Sequence, residues 1–385
     1  MSKTKNMTEL NDNMTRVISS IKRDVKGSEI KLTPKLSTKI DQYVNNELTK
    51  QPIPGLVIGV YTRGHVLFAK GYGIANLETN LPITSEMPFC LGSIGKQFTS
   101  AVIMKLVEEH KIRLDDSITK YFHNSSEDWK QIKVENLLSH TSGLSEYGDA
   151  KYTMPGGLFD KQKDFKEEEL IDKTKSLPII FKAGEKWEYC NTNYMMLGVI
   201  IHKITDKFWF DYMQDTIFKP LDMTSPRLVY KKDDIKNLPS GYDSDGETIK
   251  KSDQLSDTFN STADGCFYCN VFDLAKWDKA LYNTKLLKQS SLDKMWTVFR
   301  LNNGKVNSSN YGFGWEINSV NGHRVIEHSG GWVGFNTHIA RYVDNGVTVV
   351  VLNNLDIMNE HSPFKTATAI THDIAGLLNP EFIQT

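Results

Sequence analysis

Apolar runs of strand character sit at the two ends of this chain, with a mostly helical pattern between them, and that distribution restricts the available folds more than any other feature. Leu56–Tyr61 and His65–Lys70 read as two strands joined at Arg63-Gly64. At the other end Tyr311–Ile317, Arg324–His328, Phe335–Val343 and Val347–Leu352 read as strands. Asn321-Gly322 and Asn345-Gly346 are hairpin turns there, because both residues of each pair tolerate positive φ. From Ser93 to about Leu287 the pattern is mostly helical, with long irregular connections. One antiparallel sheet built from both chain ends, flanked by helices, with an inserted mostly helical domain, is therefore the expected α+β architecture.

This reading divides the chain into a polar tail over 1–31, an α/β domain over 32–92 and 288–385, and a helical domain over 93–287, with the active site at their interface. An amphipathic helix over Leu36–Leu48 is ended by Pro52 and Pro54, and a final helix is expected with Ser362 as N-cap and Pro363 in its first position.

Composition narrows the function. Lys+Arg 46 against Asp+Glu 47 leaves a net charge of -1, which offers no electrostatic reason to expect nucleic acid or an anionic membrane as partner. The longest apolar stretches, Met195–Ile201 and Val347–Leu352, fall far short of the ~20 residues that cross a bilayer, so no membrane span is expected. Met1–Gly27 has no apolar core of the secretory kind, and the 4 cysteines are too few for a disulfide framework, so a cytoplasmic setting with reduced thiols is expected. Cys266-x-x-Cys269 lacks a second ligand pair, and no metal is expected.

The chemistry begins at Ser93-Ile94-Gly95-Lys96, where a hydroxyl and an amine three residues apart share one face of a helix. A serine is a weak nucleophile until a base takes its proton, and a lysine serves as that base when burial lowers its pKa. Ser2, Ser19, Ser28, Ser117, Ser291 and Ser362 have the same spacing to a lysine. Ser93 differs because Phe98, Ala101, Val102, Met104, Leu106 and Val107 make the following helix apolar on most sides, placing the serine at a buried helix start where negative charge is favoured. Tyr189-Cys190-Asn191, between a turn at Ala183-Gly184-Glu185 and an apolar helix from Tyr194, offers a phenol to move protons and an amide to hold a carbonyl. Tyr43-Val44-Asn45 and Tyr268-Cys269-Asn270 share the pattern without the context. In His328-Ser329-Gly330-Gly331 the glycines let the backbone approach a ligand, and the N–H of Gly331 with that of Ser93 would form an oxyanion hole.

These motifs in this order, together with Leu137-Leu138-Ser139-His140-Thr141-Ser142-Gly143-Leu144 and Tyr311-Gly312-Phe313-Gly314-Trp315, resemble the serine β-lactamase and penicillin-binding protein superfamily, in its class C-like branch. That branch holds class C β-lactamases, D-alanyl-D-alanine carboxypeptidases, D-aminopeptidases and β-lactamase-like esterases. The resemblance covers Leu32 to Leu378 and implies Ser93 as acylated nucleophile, Lys96 as its proton acceptor, Tyr189 as general acid/base, and Asn191, His328, Gly330 and Gly331 as oxyanion and substrate contacts. His328 stands where the β-lactamases have the lysine of Lys-Thr-Gly; a histidine is only partly cationic at neutral pH and grips a substrate carboxylate less surely. Esters and small peptides therefore gain weight over β-lactams. The resemblance further implies structural slots for Cys266 and Cys269 and structural roles for His140 and Ser142, and it puts Cys190 near the active site, where a thiol reagent would inhibit.

Other chemistries fit poorly. Gly-x-Ser-x-Gly is absent around Ser93, Gly95-Lys96 lacks the earlier glycine of a phosphate loop, Gly71-Tyr72-Gly73 reaches Asn76 where a dinucleotide fingerprint needs glycine, and there is no His-Glu-x-x-His. The expectation is a serine hydrolase without cofactor that forms an acyl-enzyme with a small-molecule or short peptide substrate. Two other readings stand beside it: a β-lactamase or penicillin-binding acyl trap with slow turnover, and a catalytically weak, self-assembling scaffold. Specificity belongs to the loops 146–181 and 229–259, where no pattern names a substrate or an oligomeric state.

Overall fold

In a computed structural model, residues 30–233, 235–357 and 365–383 are described. Leu32–Thr385 forms one compact unit. It opens with helix α1 (Pro34–Lys50), where Thr33 Oγ1 accepts from the Leu36 amide and Pro34 fills the first turn. The early strands are β1 (Gly55–Thr62), β2 (His65–Asn76) and β3 (Leu81–Pro82); the late ones are β4 (Glu316–Val320), β5 (His323–Trp332), β6 (Phe335–Tyr342) and β7 (Val347–Asn353). They make one seven-stranded sheet in the order β3-β2-β1-β7-β6-β5-β4, so the two chain ends meet where β1 pairs antiparallel with β7, Leu56 opposite Asn353. Both strands are buried along nearly their whole length, as their continuous β-branched and aliphatic runs require.

The turns behave largely as their residues dictate. Arg63-Gly64 and Asn321-Gly322 both take positive φ and close two-residue hairpins. The Asn345-Gly346 connection departs from expectation: β6 ends at Tyr342, the loop has four residues, and Gly346 alone of that pair takes a positive φ. The strand expected over Tyr311–Ile317 instead begins at Glu316. Tyr311–Trp315 turns back on itself because Gly314, at φ +76, packs its Cα against the Lys96 carbonyl, where an added Cβ would lie at 2.7 Å.

Helix α1 and the last helix, α5 (Ala367–Leu378), cover one face of the sheet, and α4 (Val271–Ala280) packs on the other. Helix α5 is capped by Thr366, whose Oγ1 accepts from the Ala369 amide; the expected start at Ser362-Pro363 lies outside the described residues, as does the tail before residue 30. Between the chain ends run α2 (Lys96–Glu108), α3 (Asn191–Thr205) and shorter helices around an aromatic core, in which Phe98 stacks on Trp277 at 4.3 Å. No helix among the described residues is long and apolar enough to cross a membrane.

Candidate active site

Ser93 lies on a 3-10 turn, Gly92–Gly95, that runs directly into α2. The structure places Ser93 at a buried helix start, since Lys96 to Met104 and Leu106 of α2 are buried while Ser93 remains partly exposed. The turn is held by close backbone packing. Gly265, at φ +136, lies so near the Gly92 carbonyl that a Cβ there would sit at 2.0 Å, and Gly330 would meet the Leu91 carbonyl at the same distance.

Lys96 is fully buried, and its amine has three neighbours: Ser93 Oγ at 2.9 Å, Asn191 Oδ1 at 2.8 Å and the Asp264 carbonyl at 2.6 Å. Two of these, the amide oxygen and the carbonyl, only accept hydrogen bonds. A neutral amine has two N–H groups, which these acceptors consume, and its lone pair is left facing the Ser93 hydroxyl. Burial lowers the Lys96 pKa to about 8, against the opposing pull of the Asp264 and Glu146 carboxylates, so the neutral form is accessible near neutral pH. The amine also lies 5.0 Å from the centre of the Tyr189 ring.

The Tyr189 hydroxyl is buried beside the Ser93 hydroxyl and, among the described residues, has no hydrogen bond of good geometry. Burial holds this phenol well above its ordinary pKa, with the Ser93 hydroxyl drawing it the other way, so it is protonated at rest. His140 lies against its ring at 4.3 Å, while its Nδ1 accepts from the Cys190 amide at 3.2 Å. Ser142 donates to Asn193 Oδ1 at 2.6 Å. Both residues are buried and act on the Tyr189–Asn193 segment from behind, in keeping with the structural roles expected of them.

Strand β4 ends its pairing at Glu316 opposite Glu327, so residues 328–332 of β5 have no strand on their outer side and face the Ser93 turn. The Gly331 amide nitrogen is in close contact with Gly92, and Gly331 shares a small cleft with Ser93, Asn191, Asp264, Gly265 and Trp332. His328 is not in that cleft. It is buried, with Nε2 2.7 Å from the Tyr311 hydroxyl and Nδ1 2.6 Å from the Ser329 carbonyl. Because a carbonyl only accepts, Nδ1 carries the proton and Nε2 accepts from Tyr311. Burial and the nearby Lys96 lower its pKa to about 3. The partly cationic imidazole expected from sequence is thus a neutral one.

Cys190 requires a correction. It sits beside the site as expected, but its thiol is buried, donates to the Leu144 carbonyl at 3.3 Å and is pushed far above its ordinary pKa by burial, so little thiolate exists to react. Cys266 and Cys269 contact different groups, Thr262 and Ser225. Sequence reasoning missed Glu146. Its carboxylate accepts from the amides of Asn191 and Gly148, capping the start of α3 and fixing the asparagine that holds Lys96. Only the tertiary structure reveals this, since 45 residues separate Glu146 from Asn191.

The fold and the placement of this site define a class. Residues 40–370 match the beta-lactamase family model, and the chain belongs to that family, within the serine β-lactamase and penicillin-binding protein superfamily of serine hydrolases. Among individual relatives it is similar to penicillin-binding protein 4* of Bacillus subtilis, 29% identical over 77% of this chain and 67% of that protein, and to protein flp of Staphylococcus aureus, 27% identical over 85% and 64%. The chain thus spans about two thirds of the length of these relatives. Its fold is also similar to the octameric penicillin-binding protein homologue of Pyrococcus abyssi (TM-score 0.75, 27% identity, 89% of this chain and 77% of that one) and to the D-amino acid amidase of Ochrobactrum anthropi (TM-score 0.76, 22% identity, 90% and 98%).

Proposed function

We propose that this protein hydrolyses small esters or amides, short D-amino-acid peptides included, through an acyl-enzyme on Ser93. The observation that carries the reading is the buried Lys96 amine, whose N–H groups are taken by Asn191 and Asp264 while Ser93 stands 2.9 Å away. Ser93 Oγ attacks the substrate carbonyl carbon as its proton passes to Lys96 Nζ. The oxyanion is held by the N–H groups of Ser93 and Gly331. Tyr189 gives its proton to the leaving group and regains one from Lys96, which returns the amine to its neutral form. A water then attacks the acyl carbon, its proton relayed by Tyr189 and Lys96 to Ser93 Oγ as the acyl–oxygen bond breaks, and the acid is released with Ser93 restored.

The reading assigns Asn191 to the substrate through its Nδ2, since its oxygen is engaged by Lys96 and its side chain lines the cleft. His328 and Gly330 take supporting places: the first orients β5 through Tyr311, and the second lets the strand close on Leu91. A neutral His328 favours substrates without a carboxylate to be gripped, which counts for esters and amides over β-lactams. Four free cysteines fit a reducing, cytoplasmic setting.

Labelling with a fluorophosphonate, followed by turnover of p-nitrophenyl acetate and a D-amino-acid amide, tests the proposal. The wild-type chain is expected to label at Ser93 and to turn over, and Ser93→Ala to do neither. Labelling that persists in Ser93→Ala places the nucleophile elsewhere. Stoichiometric acylation without turnover supports an acyl trap instead.

A further inference from the structure

Behind the strand that carries His328, on the sheet face covered by α5, three side chains converge. Glu327 of β5 pairs with Ala340, so His338, two residues back along β6, stands on the same face, and His372 of α5 reaches down to both. Glu327 Oε2 lies 3.1 Å from His372 Nε2 and 3.6 Å from His338 Nε2, and the three ligand atoms fall within 4.8 Å of one another. The Glu327 and His338 side chains are 8% and 3% exposed.

Two of the three groups are held from behind by other side chains. The other His372 nitrogen, Nδ1, is 3.0 Å from the Tyr342 hydroxyl, and the other Glu327 oxygen, Oε1, accepts from Asn318 Nδ2 at 2.7 Å. Metal-binding imidazoles and carboxylates are oriented by such outer partners. Glu327 Oε2 is engaged by His372 at 3.1 Å, a contact that a bound ion would replace, while His338 Nδ1 is buried without a hydrogen bond of good geometry among the described residues. Glu316, directly across from Glu327 on β4, adds a second carboxylate to the neighbourhood.

We propose that Glu327, His338 and His372 bind one zinc ion. Two imidazole nitrogens and one carboxylate oxygen are a known zinc donor set, with metal–ligand bonds of about 2.0–2.2 Å and a fourth position left open. Tetrahedral bonds of that length space the ligand atoms about 3.3 Å apart, close to the two separations found at Glu327. Calcium and magnesium prefer all-oxygen sets and fit less well. His372 lines a surface cavity with Tyr43, Val320 and Asp373, which gives the ion a route in. Bound there, the ion would pin α5 to β5 and β6 on the face opposite His328, apart from Ser93. The ligands are scattered at positions 327, 338 and 372, so no sequence motif announces them.

The test is titration of the chelator-stripped full chain with Zn2+ by calorimetry, with Co2+ absorption as a second probe. One equivalent per chain, a rise in Tm, and visible Co2+ bands without a thiolate band in the near ultraviolet are expected. His372→Gln, at the most exposed of the three positions, is expected to weaken binding at least about tenfold while its metal-free circular dichroism stays native. Cys266→Ser is expected to leave binding unchanged. Failure of the wild type to take up one equivalent, or equal uptake by His372→Gln, overturns the proposal.

Discussion

Asn191 Oδ1 lies 2.8 Å from the Lys96 amine, and this contact joins the start of α3 to the start of α2 across the cleft. The amide cannot accept a proton from Lys96, so it orders the amine without holding it charged. Glu146, which accepts from the Asn191 amide, fixes that orientation in turn.

Because burial lowers Lys96 to about 8, kcat/KM for p-nitrophenyl acetate should rise with pH through that value as the amine becomes neutral. Asp264→Asn removes a carboxylate that favours the charged amine, and the rise should then move to lower pH. A pH–rate profile of both proteins is the check; a flat wild-type profile between pH 6 and 9 would remove Lys96 as the base.

Substituting the partner of Lys96 separates its two duties. Asn191→Asp keeps an acceptor but places a charge beside the amine, so the rise in kcat/KM should shift to higher pH by about one unit or more. Asn191→Ala should lower kcat/KM by about 10²-fold without that shift, through lost order and a lost substrate contact.

A neutral His328 gives a substrate carboxylate no pH-dependent hold. For a pair of D-alanyl esters differing only in a free or amidated terminus, the KM ratio should change less than about twofold between pH 8 and pH 6, since the imidazole gains no charge there. A ratio that moves about tenfold towards the free acid at pH 6 would show His328 gripping as a cation.

Stability should fall on acidification. His328, lowered to about 3, and His140, lowered well below its ordinary value, stay neutral in the fold but take up protons when unfolded. The unfolded chain therefore binds more protons below about pH 6.5, and each histidine should cost up to about 2 kcal/mol by pH 5, with its full contribution regained above pH 6.5. Urea unfolding at pH 7 and 5 measures the difference, and His328→Gln should shrink it.

All four thiols are buried, between 0% and 4% exposed. Native protein should consume less than about one equivalent of a disulfide reagent while the urea-unfolded chain consumes four, and esterase activity should survive the treatment. Rapid loss of activity tracked to Cys190 would contradict its burial.

Much of this molecule is local and so legible in one dimension. Arg63-Gly64 and Asn321-Gly322 become hairpins because φ preferences act within the dipeptide, and Ser93 faces Lys96 because three residues is less than one helical turn. Tyr311–Ile317 departs from its sequence pattern for the opposite reason: its apolar alternation looks like a strand, but Gly314 must meet the Lys96 carbonyl across the fold. Charge state was decided the same way. That His328 is neutral follows from burial and from its Tyr311 contact, that Lys96 is lowered to about 8 follows from burial against the opposing pull of Asp264, and that Glu327, His338 and His372 meet follows from sheet register and the packing of α5. The chain alone determined which serine, amine and turns were present; the free energy of protonation and the convergence of distant side chains depend on which groups exclude water from one another, and only the tertiary structure decided that.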